Sequence, residues 1–130
     1  MIQELQDEDA VRVSELDGEL FSDVSWNEYS IQREARLGWG LVLRHEDLIV
    51  GYLLVRIDHD LSDIIRVGIT KTHQGQGLGR ELLQEALRRI DGRTMLTVHR
   101  DNYRARKLYL TEGFIPVGIA GQGILMVREQ

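Results

Sequence analysis

A glycine-rich stretch at residues 74–79, Gln-Gly-Gln-Gly-Leu-Gly, constrains this chain more than any other feature. It follows a short apolar run at residues 64–69 and precedes a segment with helical periodicity that reaches Ile90. A strand, a glycine turn and a helix in this order are typical of an anion site, because glycines let the backbone approach a ligand closely. The helix adds unpaired N–H groups and the positive end of its dipole. The alternative is a plain connector between a strand and a helix.

The spacing of the glycines excludes two common nucleotide-binding loops. A dinucleotide-binding fingerprint needs G-x-G-x-x-G, but here the third glycine comes one residue early and Arg80 stands in its place. No segment of the chain has the form G-x-x-x-x-G-K-[ST] that a P-loop requires. The stretch has the form Q-x-x-G-x-G instead.

A second motif follows at residues 102–114, Asn-Tyr-Arg-Ala-Arg-Lys-Leu-Tyr-Leu-Thr-Glu-Gly-Phe. Together the two motifs resemble the acetyl-CoA pyrophosphate loop and the N-x-x-A-x-x-L-Y-x-x-x-G-F signature of the GNAT superfamily of N-acyltransferases. In style they are nearest to the enzymes that acetylate the N-terminal alanine of ribosomal protein. The resemblance covers residues 63–118, and the N-terminal half matches only in its order of elements.

Hydrophobic periodicity and turn residues predict an α/β fold with the element order β-α-α-β-β-β-α-β-α-β-β. This is the GNAT order, so we expect a mixed sheet of six to seven strands, flanked by about four helices, with a splayed central parallel pair. The length is close to the modal domain size, which predicts one domain over residues 1–130. Predicted strands are residues 2–5, 39–44, 48–57, 64–69, 95–98, 114–117 and 124–127, and predicted helices run from Asp7 to Leu20, from Asn27 to Leu37, from the glycine stretch to Ile90, and from Asn102 through Tyr109.

The resemblance implies acetyl-CoA as the co-substrate. Backbone groups of Val67, Gly68 and Ile69 would bind the pantetheine arm as an added strand does. Main-chain N–H groups would hold the pyrophosphate at Gln74, Gly75, Gln76, Gly77, Leu78, Gly79 and Arg80. A side chain is expected to be most harmful at Gly77 and Gly79. Asn102 matches a position that contacts pantetheine in relatives, and its alternative role is a helix N-cap.

Tyr109 is the candidate general acid, since the tyrosine of this signature lies beside the thioester sulfur in relatives. Attack by a neutral amine gives a tetrahedral oxyanion and then a thiolate. A thiol has a pKa of about 8.5 and tyrosine about 10, so a phenol can supply the proton that the sulfur needs. The alternative role for Tyr109 is that of an amphipathic core residue.

The general base is open between two residues. Asp63 precedes Ile69 by six positions, where some protein acetyltransferases of the superfamily carry a catalytic glutamate. The alanine acetyltransferases instead place a glutamate where this chain has Thr97, which cannot act as a base. His99 lies close by and its ordinary pKa suits the task, although it can equally be a surface histidine.

Charge divides the chain unevenly. Residues 1–63 carry 15 acidic and five basic side chains, a net charge of −10, whereas residues 64–130 carry six acidic and 11 basic, a net of +5. The basic half contains both motifs and suits a polyanion such as coenzyme A, and the acidic half suits a protonated amine. The acidic total argues against nucleic-acid binding.

Other site classes are disfavoured by what the sequence lacks. There is no cysteine, so a thiolate nucleophile and cysteine metal sites are excluded. Four scattered histidines predict no metal site. No apolar run is long enough to span a bilayer, and no signal-peptide pattern opens the chain, so we expect a cytoplasmic protein.

The resemblance implies an N-acetyltransferase that acts by direct attack in a ternary complex, and we expect a monomer or homodimer. A protein or peptide N-terminus or a lysine is the favoured acceptor, and a small polyamine or aminoglycoside-like amine comes next. Phe21 and Trp26 flank the loop that lines the acceptor groove in this fold, as core residues or as a clamp on the substrate. A non-catalytic acyl-CoA-binding module is the alternative from another class.

Overall fold

The computed structural model describes residues 1–129. The strands are β1 (Ile2–Glu4), β2 (Gly38–His45), β3 (Leu48–Asp58), β4 (Leu61–Ile69), β5 (Arg93–His99), β6 (Ile115–Ala120) and β7 (Gly123–Arg128). The helices are α1 (Ala10–Leu20), α2 (Glu28–Leu37), α3 (Leu78–Arg89) and α4 (Tyr103–Thr111), with short 3₁₀ turns at Asp7–Asp9 and Lys71–His73.

All seven strands of residues 1–129 form one sheet in the order β1-β2-β3-β4-β5-β7-β6. Every neighbouring pair is antiparallel except β4 and β5, which run parallel. The parallel pair needs a crossover connection, and α3 supplies it. The predicted α/β class, its element order and its central parallel pair are confirmed.

Helices cover both faces of the sheet and enclose two cores. On one face α3 and α4 pack against the sheet, with Leu82, Leu83 and Ala86 of α3 fully buried; we call this the α3/α4 core. On the other face α1 and α2 form the α1/α2 core, which includes Leu16 and Ile31. Because side chains alternate along a strand, each buried central strand contributes to both cores.

The parallel pair separates partway along its length. β4 and β5 are paired only from Leu61–Arg93 to Ile64–Leu96. A shift in the register between β3 and β4 leaves Ile65 without a partner, which is the signature of a bulge. Ile64 packs in the α3/α4 core, whereas Ile65 packs against the α1/α2 core. Beyond this point the strands diverge, which confirms the predicted splay.

The predicted limits of the strands and helices differ from the observed ones by up to three residues, and several element ends have a clear local cause. The side chain of Asn27 caps α2 by accepting from the Ser30 N–H at 2.9 Å, and Gly113 follows α4 with φ of 96°. The predicted start of the first helix at Asp7 is wrong, because Asp7 lies in the 3₁₀ turn before α1. β4 begins at Leu61, earlier than the predicted residue 64, because the β3–β4 turn is tighter than the polar run suggested.

Among the helices described for residues 1–129, none has the length and apolar character needed to cross a membrane.

Candidate active site

A cleft of about 440 Å³ lies where β4 leaves β5. Three segments form its walls: the end of β4, the glycine loop with the start of α3, and the inner face of α4. The cleft brings together most of the residues that the sequence singled out for the site: Val67, Gly68, Ile69, Gln74, Gly75, Gly77, Leu78, Gly79, Arg80, Asn102 and Tyr109. Gln76, Asp63 and His99 do not line it.

The end of β4 presents free backbone groups to this cleft. Residues 66–69 pair with β3 on one side, while the pairing with β5 on the other side ends at Ile64. The N–H and C=O groups that point toward β5 are therefore available to an extended ligand, which can add to the exposed edge as another strand would.

The glycine loop owes its shape to two of its three glycines. Gly75 and Gly77 have φ of 82° and 80°, a region that other residues rarely adopt. Gly79 lies within α3, and an added Cβ there would meet only Ile69 Cγ1 at 3.9 Å, so its lack of a side chain keeps the cleft open. Gln74 fixes the loop by donating from Nε2 to the Ile69 carbonyl at 2.9 Å.

The N-terminus of α3 is suited to an anion. Gly77 is its N-cap residue, and within residues 1–129 no side chain caps this end of the helix. The first N–H groups of a helix lack intrahelical partners and carry the positive end of its dipole. In this helix they border the cleft, where a phosphate oxygen can accept from them.

α4 supplies Asn102 and Tyr109. The Asn102 Oδ1 accepts from the Ala105 N–H at 3.2 Å, so the predicted N-cap is confirmed. The Tyr109 ring packs edge-on against Phe114 with centroids 5.9 Å apart. Burial raises the pKa of the Tyr109 hydroxyl, so this group stays protonated through the neutral range and can donate.

Three polar residues in the cleft lacked an individual role in the sequence reading: His73, Arg104 and Lys107. Arg104 and Lys107 lie three positions apart on one face of α4, so helical spacing applied to the basic cluster could have selected them. The Arg80 side chain turns away and forms an ion pair with Glu112 at the end of α4, with a further bond to Thr111. Arg80 therefore offers its main chain to the cleft.

His99 ends β5 with both ring nitrogens engaged. Nδ1 is 3.1 Å from the Asp101 N–H, and Nε2 is 2.9 Å from the Gln122 Oε1. A backbone N–H can only donate, so Nδ1 accepts and the proton resides on Nε2. The lone pair that a general base would use is occupied.

Asp63 lies one residue before the parallel pairing ends. It faces Arg56 on β3 and Met95 on β5. Ile64 packs in the α3/α4 core, so Asp63 points to the opposite face of the sheet. Partial burial raises the pKa of the Asp63 carboxyl, and the nearby Arg56 charge opposes that rise.

The sequence profile described as "Acetyltransferase (GNAT) family" matches residues 2–114. The chain belongs to this family. Among curated proteins, it is 33% identical over 119 residues to the N-alpha-acetyltransferase RimI of Mycobacterium tuberculosis, which covers 85% of the chain and 75% of the relative. It is also 37% identical over 91 residues to the mycothiol acetyltransferase of Beutenbergia cavernae, covering 63% of the chain but only 30% of that longer protein.

Solved GNAT structures share the fold. The ribosomal-protein-S18-alanine N-acetyltransferase of Escherichia coli superimposes with a TM-score of 0.88 at 18% identity, covering 99% of this chain and 92% of the other. Naa50 of Arabidopsis thaliana, solved with a bisubstrate analogue, gives 0.86 at 19% identity, covering 100% and 98%.

The family assignment confirms the predicted enzyme class. This chain is an acetyl-CoA-dependent N-acetyltransferase, and the non-catalytic module is not supported. A GNAT structure from Thermoplasma acidophilum was solved in complex with coenzyme A, consistent with acetyl-CoA as the co-substrate. Within residues 1–129, no group of three or more His, Asp or Glu side chains is arranged to hold a metal ion.

Proposed function

We propose that this GNAT enzyme acetylates the amino group of a peptide or protein, by direct attack of the amine on acetyl-CoA in a ternary complex. One observation carries this proposal: the gap between β4 and β5 has Tyr109 on one face of the sheet and Asp63 on the other. A thioester placed in the gap can receive the amine from the Asp63 side while its sulfur faces Tyr109.

Main-chain groups supply most of the contacts to the co-substrate. The pyrophosphate accepts from N–H groups at residues 74–80, and the pantetheine arm extends along residues 67–69 as a strand does. Arg104 and Lys107 border the same cleft, and their charges favour a polyanion. Asn102 adds a polar contact where the arm enters the gap.

The chemistry forms a C–N bond and breaks a C–S bond. The neutral amine attacks the thioester carbonyl, and the oxyanion collapses to expel the coenzyme A sulfur. The proton that this sulfur takes comes from the Tyr109 hydroxyl, which solvent then reprotonates. The proton that the amine loses goes to Asp63, directly or through one water. With no cysteine in the chain, a thioester intermediate on the enzyme is not available.

Asp63 is the stronger of the two candidate bases. His99 has its lone pair in a hydrogen bond to Asp101, whereas Asp63 lies beside the strand divergence with a raised pKa. A carboxylate there also attracts the ammonium form of the acceptor, as does the strongly acidic N-terminal half.

A peptide end fits this site better than a small enclosed ligand. The β6–β7 connection is only the two residues Gly121 and Gln122, so it cannot fold over the acceptor as a lid. A relative that matches 85% of this chain is named an N-alpha-acetyltransferase, which supports a terminal amine ahead of a lysine side chain. The match to mycothiol acetyltransferases supports a small-molecule amine as the second candidate.

A thiol-release assay with acetyl-CoA separates these acceptors. Its arms are a peptide with a free N-terminal alanine and no lysine, the same peptide N-acetylated with one lysine added, spermidine, and an amino sugar. Release with the first peptide alone supports the proposal. Release only with the lysine peptide moves the acceptor to side chains, and release only with spermidine or the amino sugar contradicts a peptide acceptor.

A further inference from the structure

A polar cluster is buried behind β4, on the α1/α2 side. Its centre is Asp17 of α1, which is 0% exposed. The two Asp17 carboxylate oxygens accept from the Tyr52 hydroxyl and from the Trp26 N–H, the latter at 2.7 Å. The Arg66 Nε lies 3.3 Å from Oδ1. A buried carboxylate is tolerated when it is paired and hydrogen-bonded in this way.

Arg66 connects this cluster to the α1–α2 segment, which we define as residues 21–26. Its guanidinium carbon is 4.4 Å from the ring centroids of both Phe21 and Trp26, so the two rings hold it between them. Its Nη2 donates to the Val24 carbonyl at 2.9 Å. One side chain of β4 therefore fixes both ends and the middle of a segment that has no helix or strand of its own.

This segment lies beside the gap in the sheet. Arg66 is two residues past the last β4–β5 pair, Ile64–Leu96, and its neighbour Val67 lines the cofactor cleft on the other face. The α3/α4 face is occupied by that cleft and its helices. The acceptor must therefore come from the α1/α2 face, where residues 22–25 are exposed.

We propose that Arg66 is a positioning residue for the acceptor: it holds the α1–α2 segment against β4 as the wall of the acceptor side. This inference rests on the proposed function, because it needs an acceptor that enters from the α1/α2 face. It also gives Phe21 and Trp26 a defined role, since they stack on Arg66 rather than on the substrate.

Arginine is required here for its shape. Its planar guanidinium can stack on two rings at once and still donate through its fork, whereas lysine offers a compact point charge. Arg66→Lys therefore keeps a cation near Asp17 but loses the stacking and the bond to Val24. The fold is expected to survive, while the segment loosens.

Steady-state kinetics can distinguish a loosened α1–α2 segment from a damaged fold. The acceptor in these assays is the amine that supports thiol release in the acceptor panel. We expect Arg66→Lys to raise the acceptor KM about tenfold, the scale of one desolvated cation–π contact, and to leave the acetyl-CoA KM within about twofold. The matched control is Arg44→Lys. Arg44 of β2 also pairs with a buried aspartate, Asp9 at 2.7 Å. β2 lies next to the edge strand β1 and two strands away from β4, so neither KM should change.

Hydrogen exchange gives a second readout that does not depend on turnover. The Trp26 N–H is bonded to Asp17, so it should exchange slowly in the wild type and faster in Arg66→Lys, while α1 and α2 remain protected. Phe21→Leu removes one stacking ring without touching a charge, and it should raise the acceptor KM in the same direction.

Two results overturn the inference. One is an equal rise in both KM values for Arg66→Lys, which would mean general destabilisation. The other is an unchanged acceptor KM, whether or not residues 21–26 exchange faster. Failure of the proposed function would give a different result: the wild-type enzyme would release no thiol with either peptide of the acceptor panel.

Discussion

The two faces of the sheet are built by different means. On the α3/α4 face, the cleft is shaped by bare backbone, two glycines with positive φ and the uncapped end of a helix. On the α1/α2 face, the chain buries two carboxylates, Asp9 and Asp17, and pairs each with an arginine from a strand. A cofactor of fixed chemistry can be held by main-chain groups, whereas the proposed acceptor face is built from paired charged side chains.

The largest effect is expected from removing the Tyr109 proton. Tyr109→Phe keeps the ring and its packing on Phe114, so kcat should fall at least 100-fold, the usual scale for a general acid. The acetyl-CoA KM should stay within about threefold. Stopped thiol-release assays measure both quantities. Tyr103→Phe is the control, since Tyr103 lies on the same helix but is 70% exposed. Unchanged turnover in Tyr109→Phe would remove this residue from the mechanism.

The second-largest effect is expected from a side chain added at Gly79, on the cleft side of the sheet. Gly79→Val adds a branched side chain that enters the open space of the cleft, and acetyl-CoA binding should weaken by at least about tenfold, or 1.4 kcal/mol. Calorimetry measures the affinity, and circular dichroism checks that the fold is retained. Gly118→Val is the matched control, because an added side chain there also meets open space but lies on β6, away from the cleft.

On the proposed acceptor face, Asp63→Asn should lower activity but raise stability. Loss of the base should lower kcat about tenfold or more. The raised pKa of Asp63 means that its ionisation destabilises the fold: stability is highest below the ordinary aspartate pKa and is lost as pH rises through the raised pKa. The variant should therefore unfold at a higher temperature than wild type at pH 7.

This difference in melting temperature should vanish at about pH 3, below the ordinary aspartate pKa. Asp60→Asn serves as the comparison, since Asp60 is exposed in the β3–β4 turn and its replacement should leave the melting temperature at pH 7 unchanged. A kcat that is unaffected in Asp63→Asn would show that the amine loses its proton to water rather than to Asp63.

The smallest effect separates two roles of Asn102. Asn102→Ser keeps a capping oxygen for α4, so the free energy of unfolding should change by less than about 0.5 kcal/mol. Asn102→Ala removes the cap and should lower the free energy of unfolding by about 1 kcal/mol. If the longer amide also contacts pantetheine, Asn102→Ser should raise the acetyl-CoA KM a few-fold at unchanged stability. Equal KM values for wild type and Asn102→Ser would limit Asn102 to its cap.

The same contrast explains how far the sequence could be interpreted. Local signals predicted most of the residues that line the cleft: glycines at fixed offsets, a helix start and the Asn102–Tyr109 spacing. The bounds of β4 were less accessible, because the polar residues Ser62 and Asp63 concealed a strand that begins at Leu61.

The Asp17–Arg66 pair could not be predicted at all. Its partners are far apart in sequence, and no periodicity links them. Phe21 and Trp26 were recognised as aromatic residues beside the acceptor groove, but the cation between them is visible only once β4 is folded against α1. Residues that pair across a long sequence separation form no recognisable motif in the sequence.

The short parallel ladder between β4 and β5 has one further consequence. Within residues 1–129, four paired positions of the β4–β5 ladder join the sheet strands β1–β4 to the strands β5–β7. A pantetheine arm bound along residues 67–69 would connect β4 and β5 beyond the point where their own pairing ends. The co-substrate would therefore also stabilise the contact between the two parts of the sheet. Ligand that binds only the folded state raises the melting temperature, and here the gain would be concentrated at the junction of the two blocks.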